Sequence, residues 1–176
     1  MAIWISSLAL APSLVQSHRP SRVVSLLSPY DDFPAFADIG PDRHLKVAIH
    51  DIVEDVGDWR APGRADADRI IEFVGDWDRT GPMLVHCWAG ISRSTATAFI
   101  AACMHNPGVD EEEIAWAIRK SSPTASPNAR LVEYADASLE RGGRMLQAVK
   151  AIGRGDVCDS AKPFSIPSRY KPAPRP

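Results

Sequence analysis

The sequence predicts an α/β fold, a central, largely parallel sheet of about four to five strands flanked by helices. Three observations predict it. Apolar, β-branched-rich runs alternate along the chain with stretches of helical periodicity. Several of the runs, such as Arg-Val-Val-Ser-Leu-Leu at 22–27, lack a polar face, as strands covered on both sides do. The 176 residues, 45% hydrophobic and 24% charged, suit one soluble domain with a sizeable core.

Ile3-Trp4-Ile5 reads as the first strand, and residues 8–16 as a short helix. The apolar start resembles a leader peptide in hydropathy, but no basic residue precedes Arg19 and Ser6 and Ser7 interrupt the run, so a folded start is expected. No apolar run is long enough to span a bilayer. The second strand, 22–27, ends at Ser28-Pro29 and gives way to a Pro- and Gly-punctuated loop reaching Pro41. Residues 45–50 form the next strand, running into Asp51. An acidic loop with Gly57, Pro62 and Gly63 follows. A helix is expected over 64–79, where Ile70, Phe73, Val74 and Trp77 share one face. Thr80-Gly81-Pro82 closes it, and 83–86 is the next strand.

The helix expected at 92–104 carries Ala96, Phe99, Ile100, Cys103 and Met104, which leaves it almost no polar face and makes it central. Asn106-Pro107-Gly108 stops it. Asp110 and Glu113 are spaced as a capping box for a helix bearing Ile114, Ala117 and Ile118. Pro127-Asn128 opens a last helix, with Leu131, Ala135, Leu139, Leu146 and Val149 at helical spacing and a kink expected at Gly142-Gly143. Composition then changes. Residues 1–152 are read as the domain and 153–176 as a Pro-rich basic tail with little that packs, a mobile or docked extension lacking its own core, holding five of the fifteen prolines. The tail carries a net charge of +3 within a chain of −2. Its Lys171-Pro172-Ala173-Pro174 is too short to be read as a polyproline ligand.

Chemistry concentrates where the 83–86 strand meets the central helix. The strand ends in His86-Cys87, a loop of Trp88, Ala89, Gly90, Ile91 and Ser92 follows, and Arg93-Ser94 opens the helix. Strand, tight loop and helix N-terminus aim successive backbone N–H groups and the helix dipole at one anion. A cysteine at the base of such a cradle is favoured as the nucleophilic thiolate at neutral pH. Arg93 adds a planar fork that matches two phosphate oxygens. The backbone of Trp88 to Arg93 is therefore the expected phosphate-binding loop. Gly90 allows a backbone approach that a side chain would block. His86 is read as a strut for the loop.

His86-Cys87, five residues, then Arg93-Ser94 resembles the signature loop of the cysteine-dependent protein tyrosine phosphatases. The run Ala89-Gly90-Ile91-Ser92-Arg93-Ser94-Thr95 is most similar to their small dual-specificity members. The resemblance implies phosphate-monoester hydrolysis through a cysteinyl-phosphate at Cys87, with no metal or other cofactor, and with the Ser94 hydroxyl near the sulfur. It also implies a general-acid aspartate on a loop before the cysteine. Asp51, Asp55 and Asp58 all qualify. Asp51 is preferred, because it emerges directly from a strand end. Asn128 matches a Pro-Asn that recurs near the site in the resembled group, although a helix-capping role explains it as well. The loop holds no Lys, unlike those of the lipid-phosphate members, which disfavours a phosphoinositide.

The expected partner is a phosphorylated protein or a small phosphate monoester. The net charge of −2 suggests neither nucleic acid nor an anionic membrane. Three scattered cysteines suit reduced thiols and a cytoplasmic setting. Cys103 is expected in the core, and Cys158 lies in the tail. The rival readings are a non-catalytic phospho-binding module on the same fold, a phosphatase acting on a non-protein phosphate such as a phosphoinositide or nucleotide, and sulfur or arsenate chemistry on a related loop.

Overall fold

Strand β4 (Met83–Cys87) is the axis of the sheet, every one of its residues buried. The structure, a computed structural model, describes residues 1–171. Parallel neighbours flank β4: β1 (Ala2–Ser7) on one side and β2 (Arg22–Leu27) on the other. Strand β3 (His44–Ala48) extends the sheet beyond β2, again parallel. A fifth strand, β5 (Phe164–Pro167), pairs antiparallel with β1, giving the order β3-β2-β4-β1-β5.

The apolar runs lack a polar face because helices cover both sides. On one side, helix α1 (Ala11–His18) and Phe36 cover Val23 and Leu84, and the Trp4 ring stacks on His18 at 4.0 Å. A short 3₁₀ turn, Leu8–Leu10, precedes α1. On the other side Ile3, Ile5, Val24, Leu26 and Val85 meet the larger helical layer. That layer comprises α2 (Arg64–Gly75), α3 (Arg93–His105), α4 (Glu111–Ser121), α5 (Ala129–Ser138) and α6 (Arg144–Ile152). Helix α3 is central, with residues 93–103 all buried.

Several boundaries differ from the sequence reading for local reasons. Helix α2 stops at Gly75; Trp77 lies beyond it yet remains buried, its Nε1–H donating to Ser21 Oγ and the Gly81 carbonyl at 3.1 Å each. Asp110 caps α4 through the N–H of Glu112, at 2.9 Å, in place of the pairing with Glu113. The last helix is broken, not kinked: Glu140, Gly142 and Gly143 all have positive φ, and the Asp136 carboxylate accepts the Gly143 and Met145 N–H groups at the break.

The largest difference lies after residue 153. This segment runs back along the domain and supplies β5, burying Phe164 and Ile166 against the core. Arg119 staples its start, donating to the carbonyls of Ile152 and Gly153 at 2.8 and 3.0 Å and to that of Ala125 at 2.6 Å. Gly155 then passes so close to the 123–125 turn that a Cβ would lie 2.6 Å from the Thr124 carbonyl carbon. The alternation of Phe164 and Ile166 with polar neighbours is a strand pattern that the surrounding prolines mask. Of the Lys171-Pro172-Ala173-Pro174 stretch, only Lys171 falls within the described residues.

Candidate active site

The order of strands places the site. The chain goes from β1 outward through β2 and β3, then returns to insert β4 between β1 and β2. The carboxyl end of the strand at such a reversal opens on a crevice where ligands bind. Cys87 is the last residue of β4, and α3 begins at Arg93.

Between them, residues 88–92 form a cradle whose carbonyls are held from outside. The Trp88 carbonyl accepts from Leu8 N–H at 3.2 Å and that of Ala89 from Ala161 N–H at 2.9 Å. Ser126 N–H donates to Ile91 at 2.9 Å, and Asn128 N–H to Ser92 at 3.3 Å. In a planar peptide, a carbonyl drawn outward turns the next residue's N–H the opposite way. Gly90 shows the result, its N–H donating to Cys87 Sγ at 3.3 Å. Gly90 has φ +75°, and a Cβ there would sit 2.7 Å from Ser6 C and 2.8 Å from Ser7 N. Only glycine lets the loop rest on the end of β1.

The sequence-predicted residues converge. Ser94 Oγ lies 3.1 Å from Cys87 Sγ. Arg93 is 4% exposed, and its Nη1 donates to the Ile49 carbonyl at 2.8 Å, which fixes the guanidinium under the cradle. Its Nε is 3.6 Å from Asp51 Oδ2. Of the three aspartates considered, Asp51 reaches the site. Its Oδ1 accepts from Ser92 Oγ at 2.5 Å and from Asn128 Nδ2 at 3.2 Å. Asp55 closes its own loop by accepting Ala61 N–H at 2.7 Å, and Asp58 is exposed. Asn128 does two jobs at once. Its Oδ1 caps α5 by accepting Leu131 N–H at 3.1 Å, while its Nδ2 holds Asp51 and the Ile52 carbonyl.

Three features were not visible in the sequence. The cleft, of about 450 Å³, has a wall of aromatic rings from Tyr30, His50, Trp59 and Trp88 beside Asp51 and Arg93. His50 and Trp59 stack at 5.3 Å, and Arg60 N–H donates to His50 Nδ1 at 3.0 Å, which closes the neck of the 51–60 lobe. Second, His86 is anchored to the neighbouring strand through its Nε2, 2.6 Å from Ser25 Oγ, while its Nδ1 lies against the Cys87 main chain. Third, the segment after 153 folds back, so that Cys158 lines a small cavity with Asp51, Ile91 and Ser92. Cys103 is buried in α3, where burial pushes its thiol upward and makes it inert.

No protein-family model matches the chain. It is 42% identical over 71 residues to dual specificity protein phosphatase 15 of Rattus norvegicus, covering 38% of this chain and 30% of that protein. It is 32% identical over 113 residues to dual specificity protein phosphatase 8 of Homo sapiens, covering 61% of this chain and 17% of that one. The chain thus matches less than a third of the length of these curated relatives. Among solved structures, the crystal structure of DUSP15 superposes with a TM-score of 0.61 at 20% identity, covering 84% of this chain and 89% of the other. Human DUSP28 gives 0.57 at 21% identity, covering 79% and 94%. Human tyrosine phosphatase-like serine/threonine/tyrosine-interacting protein gives 0.55 at 21% identity, covering 78% and 87%. The fold is the one these proteins share.

Proposed function

We propose that this chain, a small dual-specificity-phosphatase-like member of the cysteine-dependent protein tyrosine phosphatase superfamily, hydrolyses phosphate monoesters through a cysteinyl-phosphate. One observation carries the reading: Cys87 Sγ accepts from the inward-turned Gly90 N–H at 3.3 Å and lies 3.1 Å from Ser94 Oγ, with buried Arg93 at the helix start. The Cys87 thiolate attacks phosphorus in line, forming the S–P bond as the P–O ester bond breaks. The loop amides and Arg93 hold charge on the equatorial oxygens. Asp51 passes its proton to the departing oxygen. Water then attacks the phosphocysteine, phosphate leaves, and the Ser94 hydroxyl hydrogen-bonds the released thiolate.

The aromatic wall of Tyr30, His50, Trp59 and Trp88 suits a phosphorylated aromatic side chain, so phosphotyrosine in a protein is the favoured substrate. Phosphoserine and phosphothreonine leave that wall unfilled. A module that binds phosphate without turnover needs neither the Ser94 hydroxyl at the sulfur nor a carboxylate held at the cleft. No helix among the described residues is long and apolar enough to cross a membrane. With its cysteines free, the chain fits a reducing, cytoplasmic setting.

The test is hydrolysis of para-nitrophenyl phosphate and of a phosphotyrosine peptide, with chelator present and with vanadate as inhibitor. Cys87→Ser is expected to lose turnover and keep vanadate binding, because the hydroxyl is a far poorer nucleophile in an intact cradle. Turnover persisting in Cys87→Ser overturns the covalent mechanism.

A further inference from the structure

Two imidazoles share one hydroxyl on the sheet beneath the cradle. Ser25 Oγ lies 2.6 Å from His86 Nε2 and 2.7 Å from His44 Nε2. Strand register builds the contact: Ser25 is directly opposite His86 across β2 and β4, and His44 opens β3 on the other side of β2. Ser25 and His86 are fully buried, and Phe36 packs on both rings, at 5.2 Å from His44 and edge-on to His86 at 6.3 Å.

A serine hydroxyl carries one proton. It can donate to one imidazole only, and accepting Nε2–H from both would leave its buried O–H with no acceptor among the described residues, so it accepts from the other. Burial pulls both rings down to about 4, helped by Lys46 at His44 and by His44 at His86, so each is neutral at physiological pH and has a single N–H. The donors can therefore run in two directions only. If His44 Nε2–H donates to Ser25 and Ser25 O–H donates to His86 Nε2, the His86 proton is on Nδ1. In the reverse direction Nδ1 is a bare lone pair. His86 Nδ1 is buried, has no well-formed hydrogen bond and lies against the Cys87 main chain. Next to a residue that works as an anion, the N–H end of the imidazole dipole is favourable and the lone pair is not.

We propose that His44 is a positioning residue for the nucleophile, acting through Ser25 to fix the Nδ1–H tautomer of His86 against Cys87. The proposal rests on Cys87 being the nucleophile, but its readout does not require turnover. The polar chain runs from a half-buried residue on the edge strand to the residue preceding Cys87.

The experiment is the pH dependence of Cys87 alkylation by iodoacetamide, followed on the Cys87 peptide by mass spectrometry, alongside kinetics on para-nitrophenyl phosphate. Ser25→Ala and His44→Leu are each expected to move the alkylation midpoint upward by about half to one pH unit, the worth of one hydrogen bond. Both are expected to lower kcat at pH 6 by about three- to tenfold, with KM changing less than about twofold. His44→Gln, whose amide N–H can donate to Ser25, is expected to restore both. Superimposable alkylation profiles in Ser25→Ala, His44→Leu and the parent overturn the proposal, as does His44→Gln shifting as far as His44→Leu. If Ser25→Ala fails to fold, the two His44 variants at their half-buried edge position decide alone. Absence of any phosphatase activity with the alkylation shift intact would count against the proposed function and leave this inference standing.

Discussion

The N–H of Ala161 donates to the carbonyl of Ala89 at 2.9 Å, which makes a residue 72 positions further along the chain a wall of the phosphate cradle. Three separate segments, at Leu8, at 126–128 and at Ala161 in the strap formed after residue 153, hold the loop carbonyls outward, and the Gly90 N–H points inward at Cys87 Sγ. Pre-organised donors need no reorganisation when charge develops, so the strap bears on both binding and rate.

Loosening the strap should therefore weaken anion binding without touching any residue of the cradle. Ala161→Pro removes the donor. Gly155→Val drives a side chain into the Thr124 carbonyl carbon, 2.6 Å from where its Cβ must go. Both variants should raise the vanadate inhibition constant, by about two- to tenfold for the loss of one hydrogen bond. Unchanged inhibition in both would show that the other three contacts hold the loop by themselves.

Gly90 is the position where the loop rests on strand β1. Gly90→Ala places a Cβ 2.7 Å from Ser6 C and demands φ +75° of an L-residue. The strained backbone alone costs about 1–3 kcal/mol, and the clash adds to it. The denaturation midpoint should fall and phosphate binding should weaken together. A variant as stable and as tight as the parent would mean that the loop does not need this approach.

The two histidines beneath the cradle make stability depend on pH. Burial, as the first cause, lowers His44 and His86 from 6.5 to about 4 in the folded chain. Below about 6.5 the unfolded chain binds protons that the native one refuses, so acidification favours unfolding. Their contribution is complete above about 6.5 and is lost as the pH falls through about 4. Urea midpoints measured between pH 7 and pH 4 should decline, and less steeply in His44→Gln. A slope identical to the parent's would remove His44 from the account.

How much of this was legible in the sequence follows from how far apart the partners lie. His86 to Ser94 are contiguous, so the candidate nucleophile, the fork, the hydroxyl and the Gly are legible in one stretch. Asp51 is preferred on a strand read to residue 50; β3 ends at Ala48, and Ser92, Asn128 and Arg93 are what hold Asp51 in place. Ser25 and His44 could not be found. A serine inside an apolar strand has no pattern, and only the pairing of β2 with β4 brings it to His86. The aromatic wall comes from two separate loops and a residue of the cradle, whose approach no periodicity encodes. The strand in the segment after 153 was not legible for another reason. Proline content outweighed the two apolar residues, Phe164 and Ile166, that dock β5 on the exposed edge of β1.

The assignment of the general acid gives the most discriminating prediction. Asp51 is held at the cleft by Ser92 Oγ, Asn128 Nδ2 and the nearby Arg93 Nε, whereas Asp55 is committed to Ala61 N–H. Catalysis needs a thiolate and a protonated acid together, so the rate should follow a bell in pH. Removing the acid matters little when the leaving phenolate is stable without a proton, and greatly when it is not. Asp51→Asn should therefore slow an unactivated aryl or alkyl phosphate by about 10²- to 10⁴-fold, the usual worth of a general acid, while sparing an activated ester and flattening the alkaline limb. Asp55→Asn and Asp58→Asn should retain both the limb and the leaving-group insensitivity. Asn128→Ala should show a weaker form of the Asp51→Asn phenotype, since it frees the carboxylate without deleting it, together with a loss of about 1 kcal/mol of stability from the missing helix cap. The same series of leaving groups, run across all four variants and pH values, separates these outcomes. An alkaline limb that vanishes in Asp55→Asn and persists in Asp51→Asn would place the acid deeper in the 51–60 lobe and reduce Asp51 to a strut for Ser92.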